Sequence, residues 1–214
     1  MYKKKFFFIV FEGIEGSGKS YQSKKLYQNL QRKGISSILT REPGGTKSAE
    51  VIRKIILKDY FFKNQKDQFD KNTDTLLYLA ARNEHVRNKI RPAYLKKKVV
   101  ICDRFIDSTL AYQVYGKGVS KSLIETIHKH ILQKIKPDLT FVLKISLAKA
   151  FKRLKKRKKK NRYDKFSKVF YSKAQNAFIK IAKKNKKKYY IFDNSYDDLN
   201  LEKKIIKIVL SKLN

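Results

Sequence analysis

Short apolar runs alternate with longer amphipathic stretches along almost the whole chain. Residues 6–12, 36–41, 99–103, 139–145 and 189–193 are rich in branched and aromatic side chains and read as buried strands. Between them, residues 19–33, 48–58, 73–96, 120–135, 148–157, 167–184 and 199–213 carry apolar positions at three-and-four spacing and predict helices, as Leu26 with Leu30, or Ile52 with Ile55 and Ile56, illustrate. Strand alternating with helix predicts an α/β fold, a parallel sheet covered by helices on both faces. There is no internal repeat and no Gly/Ser/Pro linker, so residues 1–214 are expected to form a single domain. Pro43, Pro92 and Pro137 are expected in turns or at helix ends, where a missing N–H is tolerated.

Composition narrows the class. The chain has 214 residues, 42% apolar and 13% aromatic, with only 8 Gly and 3 Pro, which suits a packed core and excludes a disordered or collagen-like chain. The single cysteine, Cys102, excludes an internal disulfide framework and a Cys-rich zinc site, and points to a reducing compartment. On its strand it reads as a small core residue. The apolar run 6–11 is far short of the roughly 20 residues that span a bilayer. Glu12, Glu15 and Lys19 follow where a cleaved signal would need an apolar stretch, so a soluble cytoplasmic protein without a membrane partner is expected.

Charge leaves two readings open. Lys+Arg 53 against Asp+Glu 18 gives +35, the electrostatic footprint of a nucleic-acid binder. The positive residues are, however, mostly lysines spread along the whole chain, which favours a solvated lysine surface and no specific nucleic-acid partner.

The sharpest chemical signal lies between the first strand and the first helix. Gly13, Ile14, Glu15, Gly16, Ser17, Gly18, Lys19 and Ser20 match G-x-x-x-x-G-K-[ST]. Glycines let the backbone wrap phosphate oxygens with inward N–H groups, and the following helix adds its positive N-terminal end. Lys19 would neutralise the β- and γ-phosphates of ATP, and Ser20 would offer its hydroxyl to Mg²⁺. The strand 99–103 ends in Asp103, placed to reach the same metal shell. No Asn-Lys-x-Asp guanine-reading motif is present, which counts against a GTPase. Arg41 ends the second strand and Arg104 follows the third; in a parallel sheet both emerge at the edge that carries the phosphate loop, where they suit a second phosphate.

GIEGSGKS, TREPGGT, LLYLAAR, DRF followed by STLAYQ, and KPDLT, in this order, resemble thymidylate kinases of the bacterial type, from about residue 8 to 193. The resemblance implies a phosphate-binding-loop nucleoside-monophosphate-kinase fold with a five-stranded parallel sheet and a mobile helical lid at about 152–165. It implies transfer of the ATP γ-phosphoryl group to dTMP, giving dTDP and ADP, and a homodimer through the helix near 76–90. It puts Arg41 and Arg104 on the dTMP phosphate, Asp103 near magnesium, and Glu15 on the sugar hydroxyl. Tyr78 and Arg82 share one helical face and would stack on and donate to thymine, although without the resemblance Tyr78 reads more readily as core. Ser108, Thr109, Tyr112 and Gln113 would close around base and sugar, and Arg53 also falls on a family position. The lid offers Arg153, Arg157 and Arg162, of which Arg157 and Arg162 are carried as catalytic candidates for the transferring phosphoryl group. Three departures stand out: Tyr21 after Ser20, Phe105 where His or Tyr is frequent, and Asn161-Arg162-Tyr163-Asp164 without the usual first acid. His85, His128 and His130 are expected at the surface or an interface. Rival functions are another nucleoside or nucleotide monophosphate kinase, and a nucleic-acid-binding ATPase.

Overall fold

The computed structural model describes residues 5–58, 69–157, 161–196 and 200–213. Residues 158–160 of the expected lid, and residue 199 at the head of the last expected helix, lie outside them. Five strands, β1 (Phe7–Glu12), β2 (Ser37–Arg41), β3 (Val99–Asp103), β4 (Leu139–Lys144) and β5 (Tyr189–Asp193), form one parallel sheet in the order β2-β3-β1-β4-β5. The helices are α1 (Lys19–Arg32), α2 (Lys47–Leu57), α3 (Lys71–His85), α4 (Arg91–Leu95), α5 (Ile106–Thr109), α6 (Lys121–Leu132), α7 (Leu147–Lys155), α8 (Lys168–Lys184) and α9 (Leu201–Leu213).

The strands read as unbroken apolar runs because both faces of the sheet are covered. Alternation then divides each strand between two layers. Ile9 and Phe11 of β1 face α1 and α9 through Leu26, Leu30, Ile205 and Val209. Phe8 and Val10 face the other side, against Val86, Ile90, Ala93 and Phe105. Farther along that side, Val142 packs with Ala174 and Phe178 of α8.

The stretch expected as one helix over 73–96 is α3, a π-helical turn over Val86–Ile90, and α4. Arg91 N–H donates to Val86 O, five residues back, so the wider turn hands the chain to Pro92 without an α-ladder bond that proline could not make. α5 and the π-helical turn Leu110–Gly116 have no counterpart in the sequence expectation. Their inward positions include Ser108, Thr109 and Gln113, so an apolar period does not develop there. Lys183 and Lys184 end α8, and Lys186 to Lys188 follow in an exposed turn.

Register fixes the working edge of the sheet. Phe11 of β1 and Arg41 of β2 both pair with Asp103 of β3, so Glu12, Arg41 and Asp103 end their strands side by side at the carboxyl edge.

Candidate active site

The phosphate loop turns tightly between β1 and α1, with Gly13 at φ 137° and Gly18 at φ 93°. A Cβ at Gly13 would run into the Leu143 carbonyl, and one at Gly18 into the Asn194 amide. Only glycine meets both requirements. Asn194, just past β5, braces the loop by donating Nδ2–H to Ser17 O at 2.8 Å. Arg153 of α7 donates Nη1–H to Gly16 O at 2.6 Å. Lys19 lies over the loop, its Nζ donating to Ile14 O at 2.7 Å and to Ser17 Oγ at 3.3 Å. Burial, then the charge of Arg104, lowers its ammonium pKa to about 8.

Ser20 Oγ donates to Asp103 Oδ2, which unites the two expected metal positions. Asp103 Oδ1 is buried and has no hydrogen-bond partner among the described residues. An orphaned carboxylate oxygen beside a hydroxyl, at a phosphate cradle, fits Mg²⁺, which takes few protein oxygens and completes its shell with phosphate and water. The described residues hold no cluster of three or more His, Cys, Asp or Glu side chains suited to a metal.

Arg104 ties the two halves of the site together. Its backbone adopts φ 74°, a left-handed conformation that a non-glycine residue keeps only when its surroundings hold it there. Here the N–H donates to Phe11 O at 2.9 Å. The guanidinium donates to Gly13 O at 2.9 Å, Ser108 Oγ at 3.1 Å and Glu15 Oε1 at 2.8 Å, and stacks over Tyr112. Burial alone would raise the Glu15 carboxyl pKa, but the charges of Arg104 and Lys19 and the Tyr112 hydroxyl, 2.5 Å away, hold it below the ordinary carboxylate range. Beneath them Glu12, fully buried, accepts from Phe105 N–H, Ser108 N–H and Ser108 Oγ–H at 2.8, 3.2 and 2.6 Å. Burial, with Asp107 adding its negative charge, raises the Glu12 carboxyl pKa to about 7.

A cavity of about 830 Å³ runs over this edge. Glu15, Gly16, Gly18, Lys19 and Ser20 line one part, and Arg41, Arg53, Asp103 and Arg104 another. Tyr78, Arg82, Ser108, Thr109, Tyr112, Gln113 and Arg157 also line it. Arg41 stands half exposed and forks onto Glu50, with both contacts at 3.1 Å. Arg53 donates to Pro43 O at 2.5 Å. Tyr21 is a largely exposed part of the wall.

Several expected contact residues are already engaged within the protein. Arg82 is buried and donates to Glu42 Oε2 at 2.7 Å, Thr109 Oγ1 at 2.8 Å and Phe105 O at 2.8 Å, with its guanidinium against the Phe105 ring. Ser108 and Thr109 thus brace the two arginines. Gln113 differs: it is buried, and its Nε2 has no partner among the described residues. Arg162 departs from its expected place. It does not line the cavity but turns to Asp74, because that buried carboxylate on α3 needs cationic partners.

The histidine expectation is corrected at two positions. His85 is fully buried and holds Glu42 Oε1 at 2.9 Å and Thr40 Oγ1 at 2.7 Å. His128 is buried with Nε2 2.6 Å from Arg82 Nη1, and burial followed by the Arg82 charge lowers its pKa to about 3, so it accepts as a neutral ring. Both serve a polar network inside the helix layer, which helical spacing could not reveal. Glu12 and Asp74 had readable signals: Glu12 is a carboxylate ending an apolar strand, as Asp103 is, and Asp74 lies four residues before Tyr78 on the same helical face.

A phosphate cradle at the carboxyl edge of a parallel sheet, with further arginines across the same cavity, defines a phosphate-binding-loop kinase of small phosphorylated acceptors. Comparison narrows the class. The family model described as Thymidylate kinase matches residues 11–205. A thymidylate kinase of Mycoplasma capricolum subsp. capricolum is 38% identical over 208 residues, 96% of this chain and 95% of the relative. One from Wolbachia sp. subsp. Brugia malayi is 46% identical over 178 residues, 82% of this chain and 80% of the relative. The crystal structure of thymidylate kinase from Ehrlichia chaffeensis superposes with a TM-score of 0.73 at 32% identity, covering 98% of this chain and 100% of that one. The chain belongs to the thymidylate kinase family.

Proposed function

We propose that this protein transfers the γ-phosphoryl group of ATP to dTMP, giving dTDP and ADP. The observation that carries the reading is the attachment of Arg104 to the phosphate loop itself, at Gly13 O and Glu15, in the cavity that Lys19 and Arg41 also line. A cation for the acceptor phosphate is thereby held at a fixed distance from the donor cradle. Positioning and charge neutralisation are the main demands of phosphoryl transfer, because a phosphate oxygen is already a competent nucleophile at neutral pH.

In this reading the loop amides and Lys19 bind the donor phosphates. Ser20 and Asp103 hold Mg²⁺, whose contribution is neutralisation of phosphate charge. Arg41, released from half-buried Glu50, and Arg104 take the dTMP phosphate, while Arg53 supports that end. Tyr78 flanks the base, and the unpartnered amide of Gln113 donates to a thymine carbonyl. Arg82 presents a guanidinium already held by Glu42 and His128. Tyr112, hydrogen-bonded to Glu15, crowds the position of a 2′-hydroxyl and favours a deoxy sugar. Arg157, with Arg153 beside the loop, supplies charge to the transferring group. The single-domain organisation, the homodimer through the outer face of α3, where Leu76 is half exposed, and a cytoplasmic location belong to the same reading. Among the described residues, no helix is long and apolar enough to cross a membrane.

A coupled ADP-release assay with dTMP, dUMP, CMP and thymidine tests the proposal. Turnover should be fastest with dTMP and should need Mg²⁺. Equal rates with dTMP and CMP would favour a broader monophosphate kinase. ATP turnover stimulated by DNA or RNA and indifferent to dTMP would favour the nucleic-acid-binding ATPase.

A further inference from the structure

Asp74 lies on α3 with its side chain 1% exposed, and each carboxylate oxygen meets a cation from a different part of the chain. Lys117, following the π-helical turn Leu110–Gly116, donates to Oδ2 at 2.6 Å. Arg162, opening the 3-10 turn Arg162–Lys165, donates Nη2–H to Oδ1. The neighbours of Arg162 do the opposite: Asn161 and Tyr163 line the cavity, and Arg162 does not.

Tyr163 is almost fully buried, and several contacts set its position. Its hydroxyl is bonded to that of Tyr78, its ring meets Tyr112 edge-on at 5.6 Å and Phe166 at 4.8 Å, and its carbonyl accepts from Tyr171 Oη–H at 2.7 Å. Tyr78 and Tyr112 are the aromatic residues assigned above to the acceptor nucleoside. The turn that Arg162 anchors therefore supplies a third aromatic wall of that compartment.

We propose that Asp74, Lys117 and Arg162 form a latch that seats the turn Arg162–Lys165 on α3, fixing Tyr163 as a wall of the acceptor compartment. Arg162 is thus a positioning residue that acts through Tyr163, with no contact to the transferring phosphoryl group. The inference rests on the reading of this compartment as the dTMP site. The charge arithmetic makes the latch directional: one buried acid serves two cations. Neutralising the acid leaves Lys117 and Arg162 facing each other without a counter-charge, which drives the turn away from α3. Losing Arg162 alone leaves the acid to Lys117, and the turn loses its ion pair to α3 while keeping the weaker hydroxyl bond of Tyr163 to Tyr78. Because the wall contacts the acceptor before and during transfer alike, its loss falls on acceptor binding and little on kcat.

The test compares Asp74→Asn, Arg162→Gln, Arg162→Lys and the double variant Asp74→Asn/Arg162→Gln in full-length protein. Asp74→Asn and Arg162→Gln should each raise KM for dTMP about tenfold, leave KM for ATP and kcat within about threefold, and combine non-additively as members of one network. Arg162→Lys, which keeps the charge, should recover most of the loss. A second measurement needs no turnover: tryptic cleavage at Lys155, Lys156 and Arg157, followed by mass spectrometry, should be about tenfold faster in Asp74→Asn and Arg162→Gln than in wild type. A fall in kcat of about a hundredfold or more in Arg162→Gln at unchanged dTMP KM would overturn the latch and put the guanidinium on the phosphoryl group. Additive effects, equal tryptic rates, or no recovery with lysine would also overturn it. Wild type that fails to phosphorylate dTMP would defeat the functional reading, while the tryptic comparison would still decide the latch.

Discussion

Replacing Lys19 by Met removes the ammonium and keeps most of the alkyl stem. In the structure the Nζ sits 2.7 Å from Ile14 O, inside the cradle the donor phosphates occupy under the proposed function. A unit charge acting on a phosphoryl oxygen at about 4 Å, with an effective dielectric of about 20, contributes about 4 kcal/mol. If that stabilisation is realised in the transition state, kcat falls about a thousandfold. Stability should move little or rise. Burial lowers the Lys19 pKa to about 8, so the charged ammonium destabilises the nucleotide-free fold by an amount on the order of 3 kcal/mol. Loss of its hydrogen bonds to Ile14 O and Ser17 Oγ, about 1 kcal/mol each, offsets part of the relief. The assay is steady-state ADP release at saturating ATP and dTMP, paired with thermal unfolding of the same preparations. A kcat within about tenfold of wild type, or a large drop in melting temperature, would refute the placement of this lysine as a catalytic charge on an already formed cradle.

Lys19 also predicts proton linkage. Near pH 9 its amine is mostly neutral before ATP binds and charged afterwards, so binding should take up protons, and affinity should weaken as pH rises above about 8; calorimetry in buffers of different ionisation enthalpy reads this uptake. His128, with its pKa lowered to about 3 in the fold, stays neutral while the unfolded ring protonates near 6.5. The unfolded state therefore binds more protons between those values, and stability should fall as pH drops through that window. Urea unfolding of wild type and His128→Asn should show a flatter acid limb in the variant. Gly13→Ala should destabilise by about 3 kcal/mol or more, because its Cβ meets a backbone carbonyl and its φ is 137°, and unfolding midpoints near wild type would count against the loop geometry.

The five strands, most of the helices and the donor cradle were legible because their signals are local. Apolar runs of strand length, helical spacing and the motif from Gly13 to Ser20 each depend on residues a few positions apart, and the backbone periods act within that range. The pairing of Arg41 and Arg104 with the cradle was readable one step further, since parallel strands must end at one edge. Tertiary structure decided the strand order and everything that depends on contacts between distant segments. Ser20 meets Asp103 across 83 positions, Arg153 reaches Gly16 O across 137, and Asn194 reaches Ser17 O across 177. It also turned Arg162 onto Asp74 and buried His85 and His128 beside Glu42 and Arg82. A charged side chain takes the partner that compensates its desolvation, and which partner lies within reach is a property of the packed layers.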